Sequence, residues 1–276
     1  MEQLDYLVIG HVTCDLTPTG QQVGGTVSFS GRTAQALGCH TAVLTSAAPD
    51  YDLTQAMAGM TIQRKPAAAT STFENIYTPE GRIQILHDRA EPLTAADVPV
   101  DWRRTPIVHL APLTNEVDED LVHTFSNSLI GVTPQGWMRR WDENGRVYAR
   151  EWPEAEQVLP LAAAVILSEE DLPFPGLLDE FLRLSRLLVL TQGERGCTVY
   201  FGDEVRQVPA PQVVEVEPTG AGDVFAAAFL IRLYQTGGNP WEAARYANEF
   251  AARSVTQSGL EAKIRQVGEW ASLHVT

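Results

Sequence analysis

Short apolar runs recur along the chain, each about the length of a strand and bounded by Gly, Pro or polar residues. YLVIG (6–10), TAVLTSA (41–47), PIVHLA (106–111), LIGVT (129–133), AAVILS (163–168) and RLLVLTQ (186–192) read as buried strands. Between them, helical spacing of apolar positions predicts helices over roughly 26–38, 50–59, 116–126, 175–185, 220–236 and 240–257. Such alternation implies right-handed crossovers and a mostly parallel sheet covered on both faces. Ligands of these sheets gather at the carboxyl ends of the strands.

Residues 66–92 break the alternation. TSTFENIYTPEGRIQILHDRA alternates on both sides of Pro79-Glu80-Gly81, the signature of a hairpin. The connection is too short to join two parallel strands. The segment therefore reads as a small β flap beside the sheet. No internal repeat or low-complexity linker interrupts the chain. Residues 1–276 read as one α/β domain, with a lid drawn mainly from 66–92 and a further contribution from 12–23.

Composition narrows the partners. The chain has 276 residues, a formal net charge of -15 and a hydrophobic fraction of 44%. The acidity argues against a nucleic-acid or anionic-membrane surface, which needs clustered Lys and Arg. An anion bound here must be met by backbone dipoles, a metal or a local arginine. Three widely spaced cysteines (Cys14, Cys39, Cys197) give no disulfide framework and suit a reducing compartment. The start, MEQLDYLVIG, lacks the basic region of a signal peptide, and no run approaches the ~18 apolar residues of a membrane helix. A cytoplasmic location is the expectation.

The most informative stretch is 217-EPTGAGD-223, directly ahead of an apolar helix. Glycines at 220 and 222 let the backbone turn sharply and approach a ligand. The helix that follows offers unpaired N–H groups and the positive end of its dipole, a setting suited to phosphate oxygens. Asp223 falls in its first turn, where it can take the proton of a hydroxyl attacking a phosphoryl group. A carboxylate there also complements the dipole, and glycines also end ordinary loops. The motif by itself fits both readings.

PTGAGDVFAAAFL resembles the C-terminal signature of the ribokinase-like (PfkB) carbohydrate kinases, Asp-Thr-x-Gly-Ala-Gly-Asp followed by a helix. The resemblance makes Asp223 the catalytic base and Gly220, Ala221 and Gly222 the anion hole. It extends over nearly the whole chain. GHVTCDL (10–16) is similar to the strand end whose aspartate holds substrate hydroxyls, which falls on Asp15. GGTVSFSGRTAQALG (24–38) resembles the family's Gly-Gly stretch and helix, making Gly24 and Gly25 substrate contacts. TQGERG (191–196) resembles the segment beside the nucleotide, implicating Thr191, Gly193 and Gly196. RYANEFAARSVTQSG (245–259) resembles the helix and loop near the adenine, implicating Asn248 and Gly259. An asparagine on an apolar helix also commonly serves as a buried hydrogen-bonding residue. The implied fold is a three-layer α/β/α ribokinase-like domain with a small β lid.

The chain departs from the family pattern at several positions. Glu217 stands where the family's first signature aspartate helps form a monovalent-cation site. SEED (168–171) replaces Asn-x-x-Glu, leaving Asp171 as an outer-shell helper for Mg²⁺. Phe29 takes the place of a sugar-binding asparagine. Phe29 and QGWMRRWDENGRV (135–147), with Gln135 and Arg139 as substrate contacts, resemble the plant-type myo-inositol kinases more than ribokinase or fructokinase. The resemblance thus implies an ATP- and Mg²⁺-dependent kinase for a small sugar or polyol, with myo-inositol one acceptor, acting as a monomer or homodimer. The rivals are a nucleoside or ketohexose kinase of the same family and a catalytically weak, ligand-binding homologue.

Overall fold

The computed structural model describes residues 3–18, 20–78 and 81–274. Strand β1 (Tyr6–Ile9) shows how the layers arise. Tyr6 and Val8 point into one apolar cluster, and Leu7 and Ile9 into another. Successive side chains of a strand alternate between faces, so a run that is apolar throughout must be covered on both sides.

The N-terminal part continues with β2 (Thr13–Thr17), β3 (Gly20–Gly24), helix α1 (Thr26–Ala36), β4 (Thr41–Ala47), β5 (Thr61–Pro66), β6 (Ser71–Thr78) and β7 (Gly81–Asp88). The middle holds β8 (Ile107–Leu110), β9 (Leu129–Val132), β10 (Arg139–Trp141), β11 (Val147–Ala149), a short α2 (Ala155–Val158) and β12 (Ala164–Ser168). Then come α3 (Leu177–Leu184), β13 (Leu187–Thr191), β14 (Cys197–Phe201), β15 (Glu204–Val208), α4 (Ala221–Gln235), α5 (Pro240–Ser254) and α6 (Leu260–His274).

The main sheet has nine strands in the order β15-β14-β13-β12-β9-β8-β1-β4-β5. Every pair from β5 to β13 is parallel, while β14 and β15 run antiparallel at one edge. Helices α1, α4, α5 and α6 pack on one face, and α3 with a set of short helical turns on the other. A second sheet, β3-β2-β6-β7, has four strands. Within it β2 and β6 pair in parallel, with Asp15 opposite Phe73. The segments 12–23 and 66–92 thus form one sheet, although β5 belongs to the main one. Pro79 and Glu80 of the expected turn lie outside the described residues.

Helix α4 fixes the geometry of the site. Its residues Val224, Phe225, Ala226, Ala227, Ala228, Phe229, Leu230 and Ile231 are all buried. A helix apolar all round belongs in a core, and α4 sits between the sheet, α1 and α5. Gly131 on β9 lets it approach closely, since a Cβ there would lie 2.3 Å from the Leu230 side chain. Phe225 and Phe229 stack with centroids 6.0 Å apart. Burying each stabilises the packing by about 1.5–3 kcal/mol.

Two expected helices take other forms. Over 50–59, Leu53, Ala56 and Met57 are buried as helical spacing predicts, but separate turns replace a continuous helix. Met57 N donates to Leu53 O and Ala58 N to Gln55 O, after which Gly59 turns left-handed at φ 74°. Over 116–126 the chain forms a 3-10 helix, Glu119–Thr124, capped by Asp118. Its start is delayed because Asn115 adopts φ 57° and the Glu116 carbonyl bonds Leu93. Helix α6 and the β14–β15 hairpin were not expected. The hairpin turns at Gly202, with φ 58°.

Candidate active site

A cleft of about 770 Å³ opens at the carboxyl ends of the parallel strands, between the main sheet and the smaller one. One end is formed by Asp15, Gly25, Phe29, Phe73, Gln135, Arg139 and Asp223. The other is formed by Thr191, Gly193, Gly196, residues 210–213, Asn248, Ala251, Ala252 and Val255. Residues 218–223 lie along both.

Asp15 projects from β2. Its Oδ1 accepts from the Thr13 hydroxyl at 2.9 Å. Gly24 leaves the space it needs, since a Cβ at 24 would lie 2.3 Å from Asp15 Oδ2 and 2.6 Å from Thr13 Oγ1. Gly25 precedes α1 at φ 90°, with its backbone against His11 O. Phe29, on the first turn of α1, packs its ring on Gly220, where a Cβ would lie 2.3 Å away. Gly220 itself has φ 79°, a conformation that favours glycine.

The Ala221 amide donates to Pro218 O at 3.0 Å, so it belongs to the turn. That leaves the amides of Gly222 and Asp223, first-turn donors without carbonyl partners inside the helix. The space above Gly222 is open. Asp223 is partly buried at the cleft floor, and its backbone carbonyl accepts from Ser30 Oγ at 3.0 Å. Burial pushes its carboxyl up to about 6, Asp15 adds to the rise, and Thr26 and Arg139 oppose it.

The remaining expected residues are also located. Gln135 Nε2 donates to Asp171 Oδ1 at 2.8 Å, and Asp171 Oδ2 accepts from Ser168 N at 3.1 Å. Asp171 therefore caps the turn after β12 and holds Gln135. Arg139 lines the cleft from β10 and reaches Leu113 O at 3.4 Å. Asn248 lines the other end, but its amide nitrogen donates to Val208 O at 2.9 Å and to Pro209 O at 3.4 Å. That bonding secures the wall to α5. Gly196, at φ 91°, lies against Val208 O, while Gly193 faces open space. Gly259 lies outside this lining, and its N–H donates to Glu217 Oε2 at 2.9 Å.

Sequence reasoning missed a buried network that reaches the cleft at Leu113. Glu116, 1% exposed, accepts from the amides of His11 at 2.9 Å, Leu113 at 2.9 Å and Thr114 at 2.6 Å. Burial alone would raise its carboxyl; His11 and the amides outweigh that and hold it below its ordinary value. His11 bonds Ser71 Oγ at 2.7 Å and Glu91 O at 2.9 Å. The network joins the end of β1, the β6 strand and the loop after β8. Its members are far apart in sequence, and no local pattern marks them.

A glycine turn at a helix N-terminus, a carboxylate in the first turn and a second carboxylate in the same cleft form an arrangement able to receive a phosphoryl group and take a proton from a hydroxyl. Residues 176–266 match the model of the pfkB family of carbohydrate kinases. An inositol 3-kinase of Oryza sativa subsp. japonica is 26% identical, over 94% of this chain and 70% of the relative. A cytidine kinase of Thermococcus kodakarensis is 26% identical, over 82% of this chain and 87% of that one. A pyrophosphate-dependent kinase of the ribokinase family, solved with a pyrophosphate analogue and myo-inositol, superposes with a TM-score of 0.81. It is 21% identical, covering 96% of this chain and 99% of its own. The fold is therefore ribokinase-like.

Proposed function

We propose that the protein transfers the γ-phosphoryl group of ATP to a hydroxyl of a small polyol, with a cyclitol such as myo-inositol as the leading acceptor. One observation carries the reading. Asp223 stands beside the open space at Gly222 and shares its cleft with Asp15. In this reading Asp15 and the backbone at Gly24 and Gly25 hold acceptor hydroxyls. Phe29 offers an apolar face to ring carbons. Asp223 takes the proton of the attacking hydroxyl. A carboxyl raised to about 6 is a stronger base than an ordinary one, yet is ionised at neutral pH. The Gly222 and Asp223 amides meet charge on the transferring group, and Arg139 adds a full positive charge.

The lining also bears on the donor. Its charged residues are Asp15, Arg139, Glu170, Glu194, Glu215 and Asp223, with no lysine. A naked polyphosphate would be repelled, so the donor enters with a divalent cation. Among the described residues no group of three or more His, Cys, Asp or Glu forms a metal cage. That suits Mg²⁺, which commonly keeps waters and binds through substrate phosphates. Glu170 in the lining and Asp171 behind it would order its waters. The ion, when bound, neutralises phosphate charge. The Ala251, Ala252 and Val255 wall fits a nucleobase, and favours a nucleotide over pyrophosphate, which could use none of that surface. The β3-β2-β6-β7 sheet would act as the lid that excludes water.

The test is an acceptor panel of cyclitols, ketohexoses and nucleosides, each with Mg-ATP and with Mg-pyrophosphate. Cyclitol phosphorylation with ATP, abolished in Asp223→Asn, is the expected outcome. Faster turnover of a nucleoside or ketohexose would move the acceptor class, and faster turnover with pyrophosphate would move the donor. Ligand binding without turnover of any pair would leave a sensor.

A further inference from the structure

Lys263, on the first turn of α6, has a fully buried side chain, an unusual place for an ammonium. Its Nζ donates to the backbone carbonyl of Glu217 and, at 2.8 Å, to that of Thr219. The Glu217 carboxylate lies 3.9 Å away. That carboxylate is itself fixed by Ser258 Oγ at 2.7 Å and Gly259 N at 2.9 Å. The ammonium thus sits among oxygens of the loop that leads directly into the Gly220–Ala221–Gly222 turn.

This surrounding is of the kind that holds a bound monovalent cation: two backbone carbonyls and a carboxylate. The place is taken by a covalently attached charge, so these residues do not fit potassium as well. We propose that Lys263 is a built-in cation that holds the phosphate-binding loop in its working shape, making phosphoryl transfer independent of potassium. The mechanism is local. In a planar trans peptide the C=O and N–H point in opposite directions. Anchoring the Thr219 carbonyl on Lys263 therefore turns the Gly220 N–H away from Lys263. The Ala221 amide is already engaged by Pro218 O. With both peptides fixed, the Gly222 and Asp223 amides have one orientation. Lys263 is not part of the cleft lining, so it is a positioning residue and touches no reactant.

The inference rests on the kinase reading for its activity arm, and a second arm is independent of it. In the first, wild-type phosphotransfer is titrated with KCl, NaCl and NH₄Cl against choline chloride at constant ionic strength. The expected change is under about two-fold. Lys263→Met should lose at least about ten-fold in kcat in choline chloride and regain much of it with KCl or NH₄Cl, but not with NaCl. A purely structural lysine would show no size-selective rescue. In the second arm, melting temperatures are read without substrate. The wild type should melt alike in KCl and choline chloride, and Lys263→Met should be raised selectively by KCl, because an ion that binds the folded state stabilises it. Potassium activation of the wild type by more than about five-fold, or a selective rise in its melting temperature, would overturn the proposal. So would a variant with unchanged kcat in choline chloride, or one with no potassium-selective rescue in either arm. Should the variant fail to fold, the wild-type titrations decide. Failure of every acceptor would instead count against the kinase reading and leave the melting arm intact.

Discussion

Asp223→Asn separates the two roles that one carboxylate can play at this helix start. A stabilising first-turn carboxylate should have a lowered pKa, and its loss should weaken the fold. Burial instead moves Asp223 from its ordinary 3.8 to about 6. That corresponds to an ionisation cost of about 3 kcal/mol at most, using about 1.4 kcal/mol per pKa unit. The sign follows from linkage. A carboxyl whose folded pKa is raised favours the folded state while protonated, and that benefit is lost as pH rises from about 4 to about 6. Asparagine is nearly isosteric and can still accept from Thr26. The variant should therefore match the wild type near pH 4 and be more stable at pH 8, by about 1–3 kcal/mol. For a chain of this size that is about 2–10 °C in melting temperature. Its kcat should fall by about 10²–10⁴-fold, the usual range for a lost general base. The wild-type rate should rise with pH through about 6, as the base ionises. Denaturation at the two pH values, together with a pH–rate profile, makes the check. A variant less stable than wild type at pH 8 would refute the burial argument, and one retaining the wild-type rate would refute the base assignment.

Other perturbations probe the supports of the site. Gly24→Ala places a methyl 2.3 Å from Asp15 Oδ2; acceptor KM should rise at least about ten-fold, with donor KM nearly unchanged, in steady-state assays, since misplacing one binding group by about 1 Å costs that much or more. Phe29→Ala removes a buried ring packed on Gly220; urea unfolding should show a loss of about 3–5 kcal/mol, and activity should fall further than Asp15 contacts alone explain. Glu116→Gln replaces a carboxylate that accepts three amides with a group that also carries donors; the expected loss is about 2–4 kcal/mol, read as a melting temperature about 5–10 °C lower at pH 7.

The layers of the fold were legible because parallel strands buried on both faces leave continuous apolar runs. Tyr6–Ile9 is such a run, and its alternating burial in two clusters is what the pattern required. The anion loop was legible for a local reason as well. Gly220 must adopt φ 79° against the Phe29 ring, and that demand falls on a single residue. Residues 50–59 misled because burial at helical spacing needs only one turn of helix, and Leu53 to Met57 supply one. Asn248 fits both sequence readings, a position near the adenine and a buried hydrogen-bonding residue; its context could not reveal that the partners of its amide would be Val208 and Pro209.

The residues that hold the site together were the least legible, and the reason is physical. A buried polar group must be paired, but its partner can come from any part of the chain. Glu116 finds His11 across 105 positions, and Lys263 finds Thr219 across 44. In each case the buried charge meets backbone groups, and every residue type carries those. Side-chain identity at the partner position is then unconstrained, so no motif can form. The proposed catalytic groups are legible because chemistry restricts such groups to a few residue types at fixed spacing. The supports are restricted only in space. Substitutions at Glu116 and Lys263 should therefore disturb activity as strongly as many substitutions inside the signature, although neither residue belongs to it.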